Sequence, residues 1–499
     1  MEKVFLGDNG QKSLIILFLG WGFHPESFVG LHKPGFNILL LAGYEGLNGQ
    51  EIDCEICRTI REHNADFKEV IVVAWSFGVK PAAEFLVKTS LPVTLRLVVN
   101  GTEYHIDSHR GISPEIFNGT LAGLSERTLA KFRLRCAGSR EMLGKLKEVS
   151  PDIERLRDEL EWFGSLTPAP SLRDNAIWDK IVVGEEDRIF PMANQLNAWE
   201  GYDVFTVAGM AHIPDFQWLI DTFIVDKAKV VDKFATASQT YTTNAVAQQL
   251  TAGKLYDKFR LVFDKSELKK MTTEEGHKLT LLELGYGDGT FTRTYLRDLS
   301  PLCKLLTLSD INRQEDSDWI EERFDGHPDI NIEILQADAE SEDFHKMALA
   351  ENSRDIIFSS SMFQWLNSPR QMLKVCAEAL RHRGIIALSF YGPGTLKEVN
   401  DTVGSGLKYH SPEWMVRIAR ECNLNIESLD SEEETIVFDT PTEALRHLRL
   451  TGVNALPATP SPAKARQLLN HWPLTPDGKA SLTFRPVYMI LSKPYTSKL

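Results

Sequence analysis

The sequence predicts two successive α/β domains, each a mostly parallel sheet with helices on both faces. Three observations predict this. Short apolar runs alternate with helical stretches over residues 1 to about 225. A second alternation of the same kind begins near residue 230. Each half also carries its own chemical motif at a strand-to-helix turn. The length, 499 residues, suits two or three domains of ordinary size. With 43% hydrophobic and 25% charged residues, each half has the means to bury a core. A net charge of −14 counts against nucleic acid or an anionic membrane as the main partner. No apolar run approaches the ~18 residues needed to cross a bilayer. The run Leu14 to Phe23 has no basic leader and no small-residue cleavage site, so it is not read as a signal peptide. Six cysteines are too few for a disulfide scaffold, and a reduced, cytoplasmic protein is expected. Cys54 and Cys57 have CxxC spacing. They lie in a helical stretch with no second pair, so they are read as structural, and no metal is expected.

In the first half the strand runs are SLIILFLG, NILLLAGY, EVIVVAWS, TLRLVVNG, DKIVVGEED and GYDVFTVAG. Short apolar runs bounded by glycine, with helices between them, indicate parallel strands covered on both faces. From about 113 to 165 only helical pattern is seen, which predicts a helical cap inserted between two strands.

VIVVAWSFGVKPAAEFLV carries an apolar strand into Ala74-Trp75-Ser76-Phe77-Gly78 and on into a helix. This is the context of a nucleophile elbow, whose strained turn exposes a serine hydroxyl at the sheet's C-terminal edge. Small residues are needed two before and two after the serine, because strand and helix pass closely. Ala74 stands where glycine is usual. A serine at an ordinary strand–helix turn is the plainer alternative, and the partners weigh against it. An acid and then a histidine follow in the order this arrangement requires: Asp187 after DKIVVGEE, and His212 after GYDVFTVAGMA. His212 would take the Ser76 proton, and Asp187 would orient the imidazole and stabilise its cation. Glu185 and Glu186 compete with Asp187. His24, His105 and His109 compete with His212, but none follows the last strand, and each is read as a surface-loop residue. Acyl transfer also needs oxyanion donors. The expected pair is the Phe77 amide and the Trp21 amide of Gly20-Trp21-Gly22, with a simple glycine turn as the alternative for the latter.

Strand order, elbow, GWG turn, cap and late histidine together resemble the α/β-hydrolase fold. More narrowly, FLGWG with VAWSFGV resembles the BioG family, the pimeloyl-ACP (acyl carrier protein) methyl ester carboxylesterases of biotin synthesis, over roughly residues 1–222. The resemblance implies Ser76, Asp187 and His212 as the triad.

The second domain is expected over 230–499. Val231 to Lys254 reads as helical, followed by the strands KLTLLELG, CKLLTLSD, INIEILQAD, DIIFSSS and GIIALSFYG. The tail ASLTFRPVYMILSKP alternates like a strand or hairpin. In LTLLELGYGDGTFT, Glu283, Gly285, Gly287 and Gly289 surround a strand-to-helix turn, where glycines let backbone approach a ligand. A dinucleotide fingerprint would want glycine at 290, where Thr290 stands. The spacing fits a class I S-adenosylmethionine (SAM) methyltransferase, a Rossmann-like fold, with Glu283 near the cofactor's amino-acid end. Asp310, about 20 residues on, ends the next strand where an acid can accept ribose hydroxyls. Asp338 ends the strand after that and suits the adenine amino group. Small and aromatic residues of SSSMFQWL would line the pocket.

DKFATASQTYTTNAVAQQLTAGKL, LLELGYGDGTFT, SSSMFQWL and LRHLRLTGVNA together resemble the BioC family, the malonyl-ACP O-methyltransferases of biotin synthesis. By that resemblance Tyr241 and Gln248 help close the cofactor pocket. Arg446 and Arg449 match a late helix, where they pair with an anion or are simply solvated. The two resemblances imply one bifunctional enzyme. Its C-terminal half would methylate the free carboxylate of malonyl-ACP or malonyl-CoA, and its N-terminal half would later hydrolyse pimeloyl-ACP methyl ester. The implied partner is an acidic acyl carrier protein, and Arg127, Lys131, Arg133 and Arg135 of the cap are expected to dock it. An esterase joined to an unrelated small-molecule methyltransferase, or one half serving as an inactive scaffold, are the alternatives.

Overall fold

The computed structural model describes residues 1–499 except 8–9, 167–177, 313–329, 404–405, 452–465, 467 and 495–499, and the side chains of 238–244 and 401–403 also fall outside the description. The chain divides into two compact units, Met1–Ile224 and Val225–Leu499.

Among the described residues of the first unit, seven strands form one sheet. They are β1 (Glu2–Leu6), β2 (Ser13–Phe18), β3 (Phe36–Ala42), β4 (Glu69–Trp75), β5 (Val93–Val99), β6 (Lys180–Gly184) and β7 (Val204–Val207). Their order is β1-β3-β2-β4-β5-β6-β7. All neighbours are parallel except β1, which runs antiparallel on β3. The reason for the unbroken apolar runs is visible in β2. Leu14, Ile16 and Phe18 enter the core on one face, and Ile15 and Leu17 enter a second core on the other. With both faces covered, period-2 alternation of polarity is not needed. β1 has no such run because its residues are half-exposed at an edge.

The cap comprises helices Pro114–Ala122, Glu126–Ala137, Arg140–Gly144 and Ile153–Ser165. Each starts at a side chain that accepts a backbone N–H, respectively Ser113, Ser125, Ser139 and Asp152. The cap is tied down at several points. Trp21 Nε1 donates to Leu156 O at 2.8 Å, Tyr44 N to Glu159 Oε1 at 3.2 Å, and Ile213 N to Cys136 O at 2.9 Å.

Because β2, β4, β6 and β7 are parallel, the loops after them share one edge of the sheet. Backbone passes very close there. A Cβ on Gly78 would lie 2.5 Å from Phe18 O and 2.7 Å from Leu19 O. Gly78→Ala should therefore destabilise this unit by about 1–3 kcal/mol through overpacking, read as a lowered thermal midpoint. An unchanged midpoint would show that the turn can open to admit a methyl group.

The second unit contains β8 (Leu279–Leu284), β9 (Cys303–Asp310), β10 (Asn331–Gln336), β11 (Arg354–Ser360), β12 (Leu380–Tyr391), β13 (Asn425–Ser431), β14 (Glu434–Phe438), β15 (Ala480–Phe484) and β16 (Pro486–Ser492). Seven of these described strands form a sheet in the order β10-β9-β8-β11-β12-β16-β13, a Rossmann-like α/β arrangement, and β14 pairs with β15 alone. The tail is therefore not a hairpin. β15 and β16 are consecutive but belong to different sheets, and β16 runs antiparallel between β12 and β13. The sequence reading also missed β13 and β14, whose charged, alternately exposed residues sit at a sheet edge and in a two-stranded ribbon.

Glu283 lies at the end of β8, fully buried. Its Oε2 accepts from Thr292 Oγ1 and Tyr295 OH, each at 2.7 Å, and so joins the strand to helix Thr290–Leu299. Burial lifts its carboxyl to about 7. An unfolded glutamate titrates near 4.3. Between those values the folded state binds the extra proton, so stability falls as pH rises through this window and levels off above it. Glu283→Gln should remove that fall, on the order of 3 kcal/mol in all. Thermal midpoints of the second unit measured from pH 4.5 to 7.5 test this. Identical slopes for the two proteins would contradict it.

Candidate active sites

Ser76 follows β4 and opens a short 3₁₀ turn, Ser76–Gly78, before helix Val79–Lys88. Its φ is 59°, a left-handed conformation that a non-glycine residue adopts at a cost. His212 Nε2 lies 2.9 Å from Ser76 Oγ, and His212 Nδ1 lies 2.9 Å from Asp187 Oδ2. All three side chains are buried. Asp187 is held by further donors. Its Oδ1 accepts Ile189 N at 2.8 Å and Phe190 N at 3.0 Å, and its Oδ2 accepts Gln195 Nε2 at 3.1 Å. Glu185 and Glu186, the competing acids, are exposed.

The histidine is fixed through its backbone as well. His212 O accepts Trp75 Nε1 at 2.8 Å and Asn100 Nδ2 at 3.0 Å, while Asn100 Oδ1 accepts Gly184 N at 2.7 Å. Phe190 stacks on the imidazole at 5.9 Å. The sequence reading singled out neither Asn100 nor Gln195. Asn100 was discoverable in principle, since it ends a strand run at the same edge. Gln195 carried no local signal.

The structure overturns one expectation and adds detail to two others. His105 is not a surface-loop residue. It is buried, with Nε2 2.9 Å from Phe163 O, and burial pushes its pKa down. His24 is half-buried and accepts Glu26 N at the start of a 3₁₀ turn, while His109 alone of the three is exposed. Arg133, expected among the docking cations, is half-buried. Its Nε donates to Gly22 O at 2.9 Å and its guanidinium lies over Phe23, so it serves to bind the cap to the glycine turn. Arg127, Lys131 and Arg135 are exposed.

The turn after β2 packs directly on the serine. A Cβ on Gly20 would sit 2.6 Å from Ser76 Cβ. Gly22 has φ 88°, with Phe132 and Leu129 against it. Trp21 and Phe77, the expected oxyanion residues, are both buried here. The Phe77 ring packs among His105, Phe117, Phe163 and Phe190.

In the second unit a cleft of about 970 Å³, counted with its open mouth, lies at the C-terminal ends of β8, β9, β10 and β11. Gly285, Gly287, Asp310 and Asp338 line it. Gly285 and Gly287 have φ of 72° and 53°, and a Cβ on Gly285 would strike Met362 at 2.7 Å. Asp310 Oδ2 accepts Gly287 N at 3.0 Å, its Oδ1 accepts Asn312 N at 2.8 Å, and burial raises its pKa. Asp338 Oδ1 accepts Glu340 N at 3.0 Å and lies 3.6 Å from Lys227 Nζ. Gly289, with φ 75°, is the N-cap of the next helix and does not line the cleft.

Glu283 is likewise absent from the lining. Its bonds to Thr292 and Tyr295 brace the glycine turn against the helix that follows. Val230 and Phe234 of helix Lys227–Asn244, and Met362, Trp365 and Leu366 after β11, supply apolar walls. Val230 and Phe234 were not anticipated. Gln248 is buried; the side chain of Tyr241 lies outside the described residues; Arg446 and Arg449 are exposed on helix Pro441–Leu450. Acids beside backbone that a Cβ would obstruct, with apolar walls opposite, fit a nucleoside-bearing cation such as SAM.

Comparison with known proteins agrees with two functional halves. The family model "Pimeloyl-ACP methyl esterase BioG" matches residues 1–217, and a methyltransferase-domain model matches 282–388. A malonyl-[acyl-carrier protein] O-methyltransferase of Bacteroides fragilis (strain 638R) is 30% identical over 97% of this chain and 93% of its own length. One from Bacteroides helcogenes is 29% identical over 53% of this chain and 98% of its own. Among solved structures, BioG of Haemophilus influenzae aligns at 25% identity over 42% of this chain and 94% of that one, with a TM-score of 0.36. A methyltransferase domain of this kind implies SAM. With a BioG domain at its N-terminus and a methyltransferase domain at its C-terminus, the chain belongs to the malonyl-[acyl-carrier protein] O-methyltransferase family of biotin synthesis.

Proposed function

We propose that the chain is a bifunctional enzyme. Residues 1–225, an α/β-hydrolase domain with its cap at about 113–165, hydrolyse pimeloyl-ACP methyl ester. Residues 230–499, a class I methyltransferase domain, methylate the free carboxylate of malonyl-ACP or malonyl-CoA. The observation that carries the reading is the buried Ser76–His212–Asp187 relay, with 2.9 Å at each step, on a chain that also carries a methyltransferase cleft.

In the first domain His212 Nε2 accepts the Ser76 proton as Oγ attacks the ester carbonyl. The N–H groups of Phe77 and Trp21 receive the developing oxyanion. His212 then returns the proton to the departing methoxide, and methanol leaves an acyl-serine. Water, deprotonated by His212, cleaves that ester and restores Ser76. Asp187 holds the imidazole tautomer and its transient cation. The aromatic cluster beside Phe77 suits an uncharged acyl chain.

In the second domain SAM would supply a methyl group on a sulfonium. Asp310 would accept from its ribose hydroxyls, Asp338 would face the adenine amino group, and Gly285 and Gly287 leave room for its approach. A malonyl carboxylate is already ionised at neutral pH. No side chain has to act as base, and the domain's contribution is alignment. Masking the carboxylate as an ester removes a charge that is costly to bury, which lets elongation enzymes accept that end. The exposed cations Arg127, Lys131 and Arg135 offer an acidic carrier a docking face.

Hydrolysis of pimeloyl-ACP methyl ester tests the first half. Asp187→Asn should lower release of pimeloyl-ACP by on the order of 10⁴-fold and Ser76→Ala by on the order of 10⁶-fold, and both should leave methyl transfer unchanged. Release at the wild-type rate by Ser76→Ala would defeat the assignment. Lys131→Glu with Arg135→Glu should raise KM for the carrier-linked ester but not for a small generic ester. Equal effects on both esters would remove these residues from carrier docking.

A further inference from the structure

Among the described residues that line the methyltransferase cleft, Lys227 is the only cation. It is the first residue of helix Lys227–Asn244, about one turn ahead of Val230 and two ahead of Phe234, the apolar wall that this helix gives the cleft. Its ammonium reaches two further parts of the cleft. After β10 it pairs with Glu340 Oε2 at 2.6 Å and lies 3.6 Å from Asp338 Oδ1. After β11 it donates to Trp365 O at 3.1 Å. The Trp365 ring in turn meets Phe234 edge-on at 5.4 Å. Three walls of the cleft therefore converge on one nitrogen.

Glu340 and Asp338 stand differently toward that nitrogen. Glu340 does not line the cleft and is the anchor. Its Oε2 also accepts Asn367 N at 2.8 Å, and its Oε1 accepts Ser368 N at 2.6 Å. The Lys227 and Glu340 side chains are 17% and 7% exposed, so a charge left there without its partner is costly. Asp338 does line the cleft, and its side chain is 31% exposed. Its protein contacts fall on one oxygen, since Oδ1 accepts Glu340 N at 3.0 Å and is the oxygen nearest Lys227. Its Oδ2 has no partner among the described residues and is left for a donor in the cleft. Two asparagines steady the same stretch of chain. Val225 N donates to Asn367 Oδ1 at 2.9 Å, and Asn312 Nδ2 donates to Val231 O at 3.4 Å.

We propose that Lys227 is a positioning residue for the nucleoside end of SAM. Its ammonium holds Asp338 by Oδ1, which presents Oδ2 to the adenine amino group, and it keeps the wall of Val230 and Phe234 against Trp365. This rests on the SAM reading of the cleft given above. Walls fixed before the ligand arrives reduce the ordering that binding would otherwise cost. The rival role for a single cation in such a cleft is direct pairing with the carboxylate of the cofactor's amino-acid end. Two protein carboxylates already flank this ammonium, and they cancel its attraction for a further anion.

Two probes separate these roles. S-adenosylhomocysteine carries both the nucleoside and the amino-acid carboxylate, whereas 5′-methylthioadenosine carries the nucleoside alone. In titration calorimetry of the full chain, Lys227→Met should bind both about 10-fold more weakly than wild type, with the number of sites per chain unchanged. A loss for S-adenosylhomocysteine alone would overturn the proposal, by placing the ammonium on the cofactor's carboxylate. Wild-type affinity for both probes would overturn it too, and so would fewer sites at wild-type affinity, the mark of a role in folding only. Where Lys227→Met does not fold, the wild type supplies the second measurement. Amide hydrogen exchange across residues 227–235 should slow when 5′-methylthioadenosine binds, and unchanged exchange would overturn the proposal. If the wild-type chain bound neither probe, the SAM reading itself would fall, and the role of Lys227 with it.

Discussion

The N-terminal site depends on one steric constraint, the crowding of backbone around Ser76. A side chain on Gly20 would overlap the serine's own Cβ. One on Gly101 would come 2.5 Å from Ser76 O, and one on Gly78 would meet the end of β2. The serine has nowhere to go but a positive φ, which turns its hydroxyl out of the sheet edge and toward His212. The cost of that conformation is offset by the sheet beneath, whose central strands are buried on both faces. The same closeness explains Trp75, whose indole N–H reaches His212 O from the residue just before the nucleophile. Nucleophile and base are therefore positioned by one short stretch of strand.

The two units treat buried carboxylates differently, and the differences follow their surroundings. Asp187 accepts two backbone amides and a glutamine and pairs with the imidazole, so both of its buried oxygens have partners. Asp310 accepts two backbone amides of the turns flanking its cleft and still faces the opening, with free lone pairs for a ligand. Glu283 has two hydroxyl partners on one oxygen and none on the other among the described residues, and burial raises its pKa more than those two bonds lower it. A carboxylate held mainly by hydroxyls deep in a core acts as a brace between strand and helix.

Much of this was legible in the sequence because the signals were local. Strand runs such as IVVAW and LLELG are apolar from end to end, and their following turns carry Ser76 and the glycines. Asp187 and His212 could be placed because chain order alone puts their loops at the serine's edge. What failed depended on packing at a distance. Arg133 reads as one of several helix cations, and only the fold turns it onto Gly22 O, 111 residues away. His105 reads as a loop histidine, yet its segment is closed over by the cap helix that supplies Phe163 O. The tail reads as a strand or hairpin, because two alternating runs are joined by Arg485. Nothing local reveals that one of them is inserted between β12 and β13.

The chemistry proposed for the two domains asks opposite things of their sites, and the residues differ accordingly. Ester hydrolysis begins with a neutral substrate and must create charge, first on the oxyanion and the imidazolium. Its site is consequently rich in fixed donors and in an acid placed to balance His212, inside a wall of aromatic rings that suits an uncharged chain. Methylation of a carboxylate begins with an anion and a cation and ends with neither. A site that stabilised either charge strongly would oppose that loss of charge. The cleft is lined by the acids Asp310 and Asp338 and by the apolar side chains of Val230, Phe234, Trp365 and Leu366, and it brings no more than one cation, Lys227, to its described lining. Neither site could perform the other's step by a change of substrate alone, which gives a physical reason for one chain to carry two separate α/β domains.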